Sequence, residues 1–142
     1  KRDHKDYMVY AVVGDGEADE GQIWEAVMAA YRYHLDNLVV IIDNNGLQID
    51  GTTDEIMPQL DLTKKFDAFG YDTYEIDGHN MEQIMETFDK IHAAKDGRPK
   101  FINAHTVKGK GVSYMENQLA WHGMAPNDEQ YQQAMRELEE GI

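Results

Sequence analysis

A strand, a helix and a second strand near the start constrain the fold of this chain more than any other feature. Tyr7 to Val13 is an apolar, β-branched run of strand length, and it stops at Gly14-Asp15-Gly16. Apolar residues then recur at helical spacing, and Leu38 to Ile42 is a second apolar run, which stops at Asp43-Asn44-Asn45. The pattern predicts a β-α-β unit.

The two strands of such a unit are parallel, and their carboxyl ends open on the same edge of the sheet, where α/β proteins place ligands. We therefore expect Asp15 and Asn45 to face one crevice. Their carboxylate and carboxamide oxygens suit a hard cation such as magnesium, which leaves room for a phosphate. Gly16 lets the backbone approach that phosphate closely.

The rest of the chain continues the alternation of strands and helices. A short helix ending at Gly70 is followed by strand Tyr71 to Ile76, a helix capped by Asn80, and strand Lys100 to Val107. We predict one domain over residues 1–142, with an α/β fold in which helices sandwich a parallel β-sheet.

Several side chains have a structural interpretation. His34 lies on the apolar stripe of the first helix and is typical of a core or interface residue, whereas His79 belongs to an Asp-Gly-His turn before a helix cap. His105 interrupts the fourth strand and is expected to point into the layer that covers the sheet. The eight methionines are expected to pack in the core. A closing helix capped by Asn127 and Gln130 has an apolar stripe predicted to face inward: Tyr131, Ala134, Met135 and Leu138.

A second group of polar residues follows the fourth strand. Lys108-Gly109-Lys110-Gly111 places two cations among glycines, and Trp121-His122-Gly123 follows. The first segment is interpreted as an anion cradle or as a solvated, flexible loop.

The composition limits the partners. The net charge is −14, with 27 acidic against 13 basic residues, which argues against nucleic acid or an anionic membrane as a partner. The chain has no cysteine and no apolar segment long enough to span a bilayer, so we expect a cytoplasmic protein.

The segments GDGEADEGQIWEA, NNGLQIDG, HTVKGKGVSYMEN and AWHGMAPNDEQ resemble the thiamine diphosphate-binding sequence of transketolases. The resemblance implies that Asp15, the side chain of Asn45 and the carbonyl of Leu47 bind magnesium, with calcium or manganese as alternatives. It also implies that Gly14 and Gly16 lie beside the diphosphate. Lys108 and His122 are then expected to approach thiamine diphosphate and the substrate. The resemblance makes His122 the candidate catalytic residue, because an imidazole suits proton transfer near neutral pH.

The same resemblance implies the activity and its partners. It covers the later part of the diphosphate-binding domain, so upstream residues and a pyrimidine-binding domain or C-terminal transketolase subunit would complete the enzyme, as a homodimer or heterotetramer. The reaction would transfer a two-carbon ketol unit between sugar phosphates, as in the pentose phosphate pathway. Alternatives are dihydroxyacetone synthase, deoxyxylulose phosphate synthase, a 2-oxo acid dehydrogenase component and a non-catalytic assembly module. Glu20 matches an acid at the interface between subunits, or complements the helix dipole.

Overall fold

The sheet is the framework of the molecule. The computed structural model describes residues 1 and 3–141, so Arg2 and Ile142 of the predicted domain lie outside the described residues. The strands are β1 (Val9–Gly14), β2 (Leu38–Asn44), β3 (Leu47–Gln48), β4 (Gly51–Thr52), β5 (Asp72–Asp77) and β6 (Lys100–His105). Four of them form one parallel sheet in the order β1-β2-β6-β5, while β3 and β4 pair as a small antiparallel hairpin. The predicted parallel sheet is confirmed, and the ends of its strands differ from the prediction by one or two residues.

Helices cover both faces of the sheet. They are α1 (Gly21–Arg32), α2 (Thr53–Ile56), α3 (Leu62–Ala68), α4 (Met81–Ala93) and α5 (Asp128–Glu140), and two short 3-10 helices span Gly16–Asp19 and Leu119–His122. On one face, Val27 of α1 and Phe66 of α3 pack against the sheet, where the ring of Phe66 stacks on Phe101 with 3.7 Å between centroids. On the other face, Ile91 of α4 packs against Ile102. The predicted α/β sandwich is therefore confirmed.

The predicted helix boundaries are confirmed at three positions. The side chain of Asn80 accepts a hydrogen bond from the backbone N–H of Gln83, and Asn127 forms a capping box with Gln130. Gly70 follows α3 with φ +89°, the left-handed conformation expected at a helix end.

The core is smaller than the apolar pattern predicts. Met28, Met57, Met81 and Met85 are all more than half exposed, so the expected packing of the methionines in the core is wrong. In α5 only Ala134 of the predicted inner stripe is buried, because this helix contacts the preceding loop through polar groups instead. The sheet therefore covers a narrower stripe of α1 and α4 than the apolar residues of these helices span.

Two histidines also differ from their predicted surroundings. His34 lies beyond the end of α1 with φ 51° and is exposed, so it does not continue the buried face of that helix. His105 points to solvent rather than into the covering layer, and its Nε2 lies 2.6 Å from a carboxylate oxygen of Glu75. Within the described residues no helix is long and apolar enough to cross a membrane.

An ion cluster around the buried amine of Lys100 joins β5 to β6 at the end of the sheet where the strands begin. The amine of Lys100 is 1% exposed and lies 2.5 Å from Asp96 Oδ1 and 3.2 Å from Asp72 Oδ2. Burial raises the pKa of Asp96, but hydrogen bonds from Lys100 and Arg98 and the charge of Lys100 outweigh it and lower this pKa from 3.8 to about 2. The cluster therefore stabilises the fold in its ionised form.

We expect Asp96→Asn to lower the free energy of unfolding at neutral pH by about 1 kcal/mol, a value reduced for partial exposure. Because the folded state depresses the pKa, the stabilisation is present above pH 3.8 and is lost as the pH falls towards 2. Urea unfolding at several pH values would measure this, with the exposed Asp67→Asn as a charge-matched control. Equal acid sensitivity of the Asp96 variant and the wild type would contradict the assignment.

Candidate active site

The candidate site lies where β1 and β2 end. Gly14 is the register partner of Asp43, and the backbone N–H of Asp15 donates to the carbonyl of Asp43 at 3.3 Å. This pairing opens a cavity of about 620 Å³ at the edge of the sheet. All seven residues that the sequence singled out line it: Gly14, Asp15, Gly16, Asn45, Leu47, Lys108 and His122. The structure therefore brings both predicted groups of residues together, while the role of each one stays a prediction.

Asp15 is the anchor of the site. It is 2% exposed, and its two carboxylate oxygens accept hydrogen bonds from the backbone N–H groups of Gly16 at 2.8 Å and Gly46 at 2.6 Å. Burial raises the pKa of Asp15 from its usual value, although these backbone hydrogen bonds oppose the shift. A cation beside the carboxylate would favour its ionised form.

Asn45 lies in the turn between β2 and β3, and Leu47 is the first residue of β3. The side-chain oxygen of Asn45 accepts the backbone N–H of Leu47 at 3.1 Å, which fixes the amide next to the Leu47 peptide. A carboxylate, a carboxamide and a backbone carbonyl are oxygen donors of the kind magnesium prefers. Among the described residues, no three histidine or acidic side chains are grouped to hold a metal. Besides the carboxylate of Asp15, a metal here would therefore need the side-chain oxygen of Asn45, a backbone carbonyl and oxygens of a bound phosphate.

Lys108 and His122 approach the cavity from the other side. Nζ of Lys108 lies 3.5 Å from Nδ1 of His122, which ends the 3-10 helix Leu119–His122. His79 has the structural role expected of it, since its Nε2 accepts the backbone N–H of Val107 at 2.8 Å, one residue before Lys108. The indole N–H of Trp121 donates to the backbone carbonyl of Tyr114 at 2.9 Å and fixes the segment that carries His122.

The electrostatics of the cavity favour a bound cation. Five acidic residues line it, against one lysine: Asp15, Glu17, Glu20, Asp43 and Asp50. A diphosphate entering this field would be repelled unless a cation neutralised part of the charge. The donor set of Asp15, Asn45 and Leu47 fits that requirement.

Gln48 is a lining residue that sequence reasoning missed. Its side-chain nitrogen is buried and has no hydrogen-bond partner, and among the described residues no other buried side-chain polar atom lacks one. A ligand oxygen would supply one. A Cβ added at Gly16 would lie 2.8 Å from Cβ of Gln48, so this close approach requires glycine. The residues present thus fit a phosphorylated cofactor held with a metal.

Comparison with known proteins decides the family. The family model described as "Transketolase, thiamine diphosphate binding domain" matches residues 1–139. The chain belongs to the transketolase family.

Relatives of this transketolase-family chain include proteins named as transketolase subunits. The chain is 49% identical over its whole length to one of the subunits of apulose-4-phosphate transketolase from Phocaeicola vulgatus, and covers 50% of that protein. It is 44% identical to the 6-deoxy-6-sulfo-D-fructose transketolase subunit SqwG of a Clostridium species, with 96% of this chain and 50% of that protein covered. The chain thus spans about half the length of these relatives.

The fold is also that of solved transketolases. The structure of transketolase from Campylobacter jejuni superposes with a TM-score of 0.86 at 28% identity, and the match covers 94% of this chain and 21% of that one. The resemblance found in the sequence is therefore confirmed at the level of the family and the fold.

Proposed function

We propose that this chain is the diphosphate-binding part of a transketolase and binds thiamine diphosphate through magnesium. One observation carries the proposal: the seven residues that match the family motif, from four separate segments, line a single cavity. Asp15, Asn45 and the carbonyl of Leu47 would hold magnesium, and Gly14 and Gly16 would lie beside the diphosphate.

The reaction we propose is the transfer of a two-carbon ketol unit from a ketose phosphate to an aldose phosphate. When bound, thiamine diphosphate supplies the nucleophilic carbon and the electron sink. The residues of this chain would position the cofactor and the substrate and would neutralise their charge. His122 would hold or donate a proton at a substrate hydroxyl, and Lys108, 3.5 Å away, would bind an anionic oxygen and orient the imidazole.

We also propose that the active enzyme needs a second polypeptide or domain, which binds the aminopyrimidine end of the cofactor. The two relatives named as transketolase subunits, of which this chain covers half, support that arrangement. Pairing would give a homodimer of complete chains or a heterotetramer of split subunits. The absence of cysteine fits a reducing compartment, so we propose a cytoplasmic location.

Calorimetric titration of thiamine diphosphate into the complete protein tests the proposal. We expect binding with magnesium and no measurable binding in EDTA, because the acidic cavity repels an uncompensated diphosphate. Ketol transfer should then appear on addition of the pyrimidine-binding partner. A folded complete protein that binds no cofactor, even with its partner and magnesium present, would exclude the enzyme and favour an assembly module of the same fold.

A further inference from the structure

Gln59 is a buried polar side chain on an otherwise exposed loop. It is 7% exposed, whereas Met57 and Leu60 on either side are 56% and 85% exposed. Leu60 has φ 55°, a left-handed conformation that leucine rarely adopts. This backbone turn leaves a large apolar side chain in water and directs the neighbouring amide of Gln59 into the protein, so the loop is organised around Gln59.

The amide nitrogen of Gln59 joins both ends of the turn that carries Asp15. It donates to the backbone carbonyl of Asp15 and, at 3.1 Å, to Oδ1 of Asp19. The same carbonyl of Asp15 accepts the backbone N–H of Ala18 at 3.0 Å. Because a carbonyl has two lone pairs, this carbonyl is fully occupied, and the orientation of the peptide between Asp15 and Gly16 is fixed.

We propose that Gln59 is a positioning residue which holds the Asp15 carboxylate in the orientation that magnesium requires. The inference rests on the proposed function of the site. Gln59 does not line the cavity, so it acts through the Asp15 turn rather than by contact with the ligand. Metal affinity depends on the groups that orient the ligands as well as on the ligands themselves. Gln59 lies between α2 and α3 and reaches the Asp15 turn from outside the cavity.

Two variants separate this role from ordinary packing. Gln59→Met keeps the length of the side chain and removes the donor, and Gln59→Glu keeps its shape but turns a carboxylate towards the Asp15 carbonyl and Asp19. Gln130→Met is the matched control, because it removes a glutamine with a local hydrogen bond at the start of α5, outside the cavity. Two quantities are measured on the complete protein: amide hydrogen exchange without metal, and the magnesium concentration that half-saturates thiamine diphosphate binding.

We expect exchange in Gly16–Asp19 and at Gly46 to accelerate in Gln59→Met and Gln59→Glu but not in the control. The half-saturating magnesium concentration should rise about tenfold in Gln59→Met, and further in Gln59→Glu, with cofactor affinity at saturating magnesium nearly unchanged. Lower thermal stability with unchanged exchange in these segments and an unchanged magnesium requirement would overturn the inference and leave Gln59 a packing residue. Absence of cofactor binding in the wild type would overturn the proposed function, and with it the role of Gln59 in magnesium binding. Hydrogen exchange in Gly16–Asp19 would still show whether Gln59 holds the Asp15 turn.

Discussion

Asp15→Ala is expected to abolish magnesium-dependent binding of thiamine diphosphate, with a loss of affinity on the order of a hundredfold or more. Asp15 is the only predicted ligand with a formal charge, and it is 2% exposed and lines the cavity. Its removal leaves a carboxamide and a carbonyl, too few and too weakly charged to retain magnesium among competing water molecules. Titration calorimetry with and without magnesium would measure the effect.

The fold should survive the same substitution, because its two effects on stability oppose each other. Gly16 and Gly46 lose the acceptor of their backbone N–H groups, which destabilises the turn. Burial raises the pKa of Asp15, so its charge destabilises the metal-free fold above that pKa and is relieved as the pH falls through it. The alanine variant therefore loses hydrogen bonds and an unfavourable buried charge together.

Two further variants make the result specific. Asp15→Asn keeps the shape but should also lose magnesium binding, because the charge is gone and its amide nitrogen would face a backbone donor. Asp89→Ala removes an equal charge from the exposed surface of α4 and should bind as the wild type does. If Asp15→Ala retained magnesium-dependent binding within a few-fold of the wild type, Asp15 would not be a metal ligand.

The strands and the side of the candidate site formed by Asp15 and Asn45 could be predicted because both follow from short-range patterns. Apolar runs ending at glycine or asparagine mark the strands, and parallel strands must end on one edge, which brings Asp15 and Asn45 together. Lys108 and His122 needed the family resemblance, because no periodicity places a loop beside a distant strand. Gln59 has no sequence signature at all, since a buried glutamine in a polar loop is recognisable only by its partners.

The burial of the helix faces could not be predicted from the sequence. The predicted inner stripe of α5 includes the apolar residues Tyr131 and Leu138, yet these residues are 51% and 55% exposed. Hydrophobic periodicity gives the face of a helix that favours burial, but burial also requires a surface that covers that face. Because the chain spans half of its relatives, its own residues need not provide that surface.

The second large effect is expected for Gly109→Ala, in the loop that carries Lys108. Gly109 has φ +73°, and a Cβ there would lie 2.6 Å from the carbonyl oxygen of Met115. The backbone N–H of Asn117 donates to the carbonyl of Lys108 at 2.9 Å and closes the loop over this contact. The methyl group must therefore displace backbone, and we expect a loss of about 2–4 kcal/mol in unfolding free energy.

Gly97→Ala separates the steric clash from the conformational penalty. Gly97 has φ +74°, nearly identical to Gly109, but a Cβ there meets no atom within 4 Å. It should lose only about 1 kcal/mol, the penalty of the left-handed conformation itself, and leave cofactor binding unchanged. Gly109→Ala should weaken thiamine diphosphate binding as well, because Lys108 moves with the loop. Equal losses of stability in the two variants would mean that the loop accommodates the methyl group without displacing Lys108. Unchanged cofactor affinity in Gly109→Ala would show that cofactor binding does not depend on the position of that lysine.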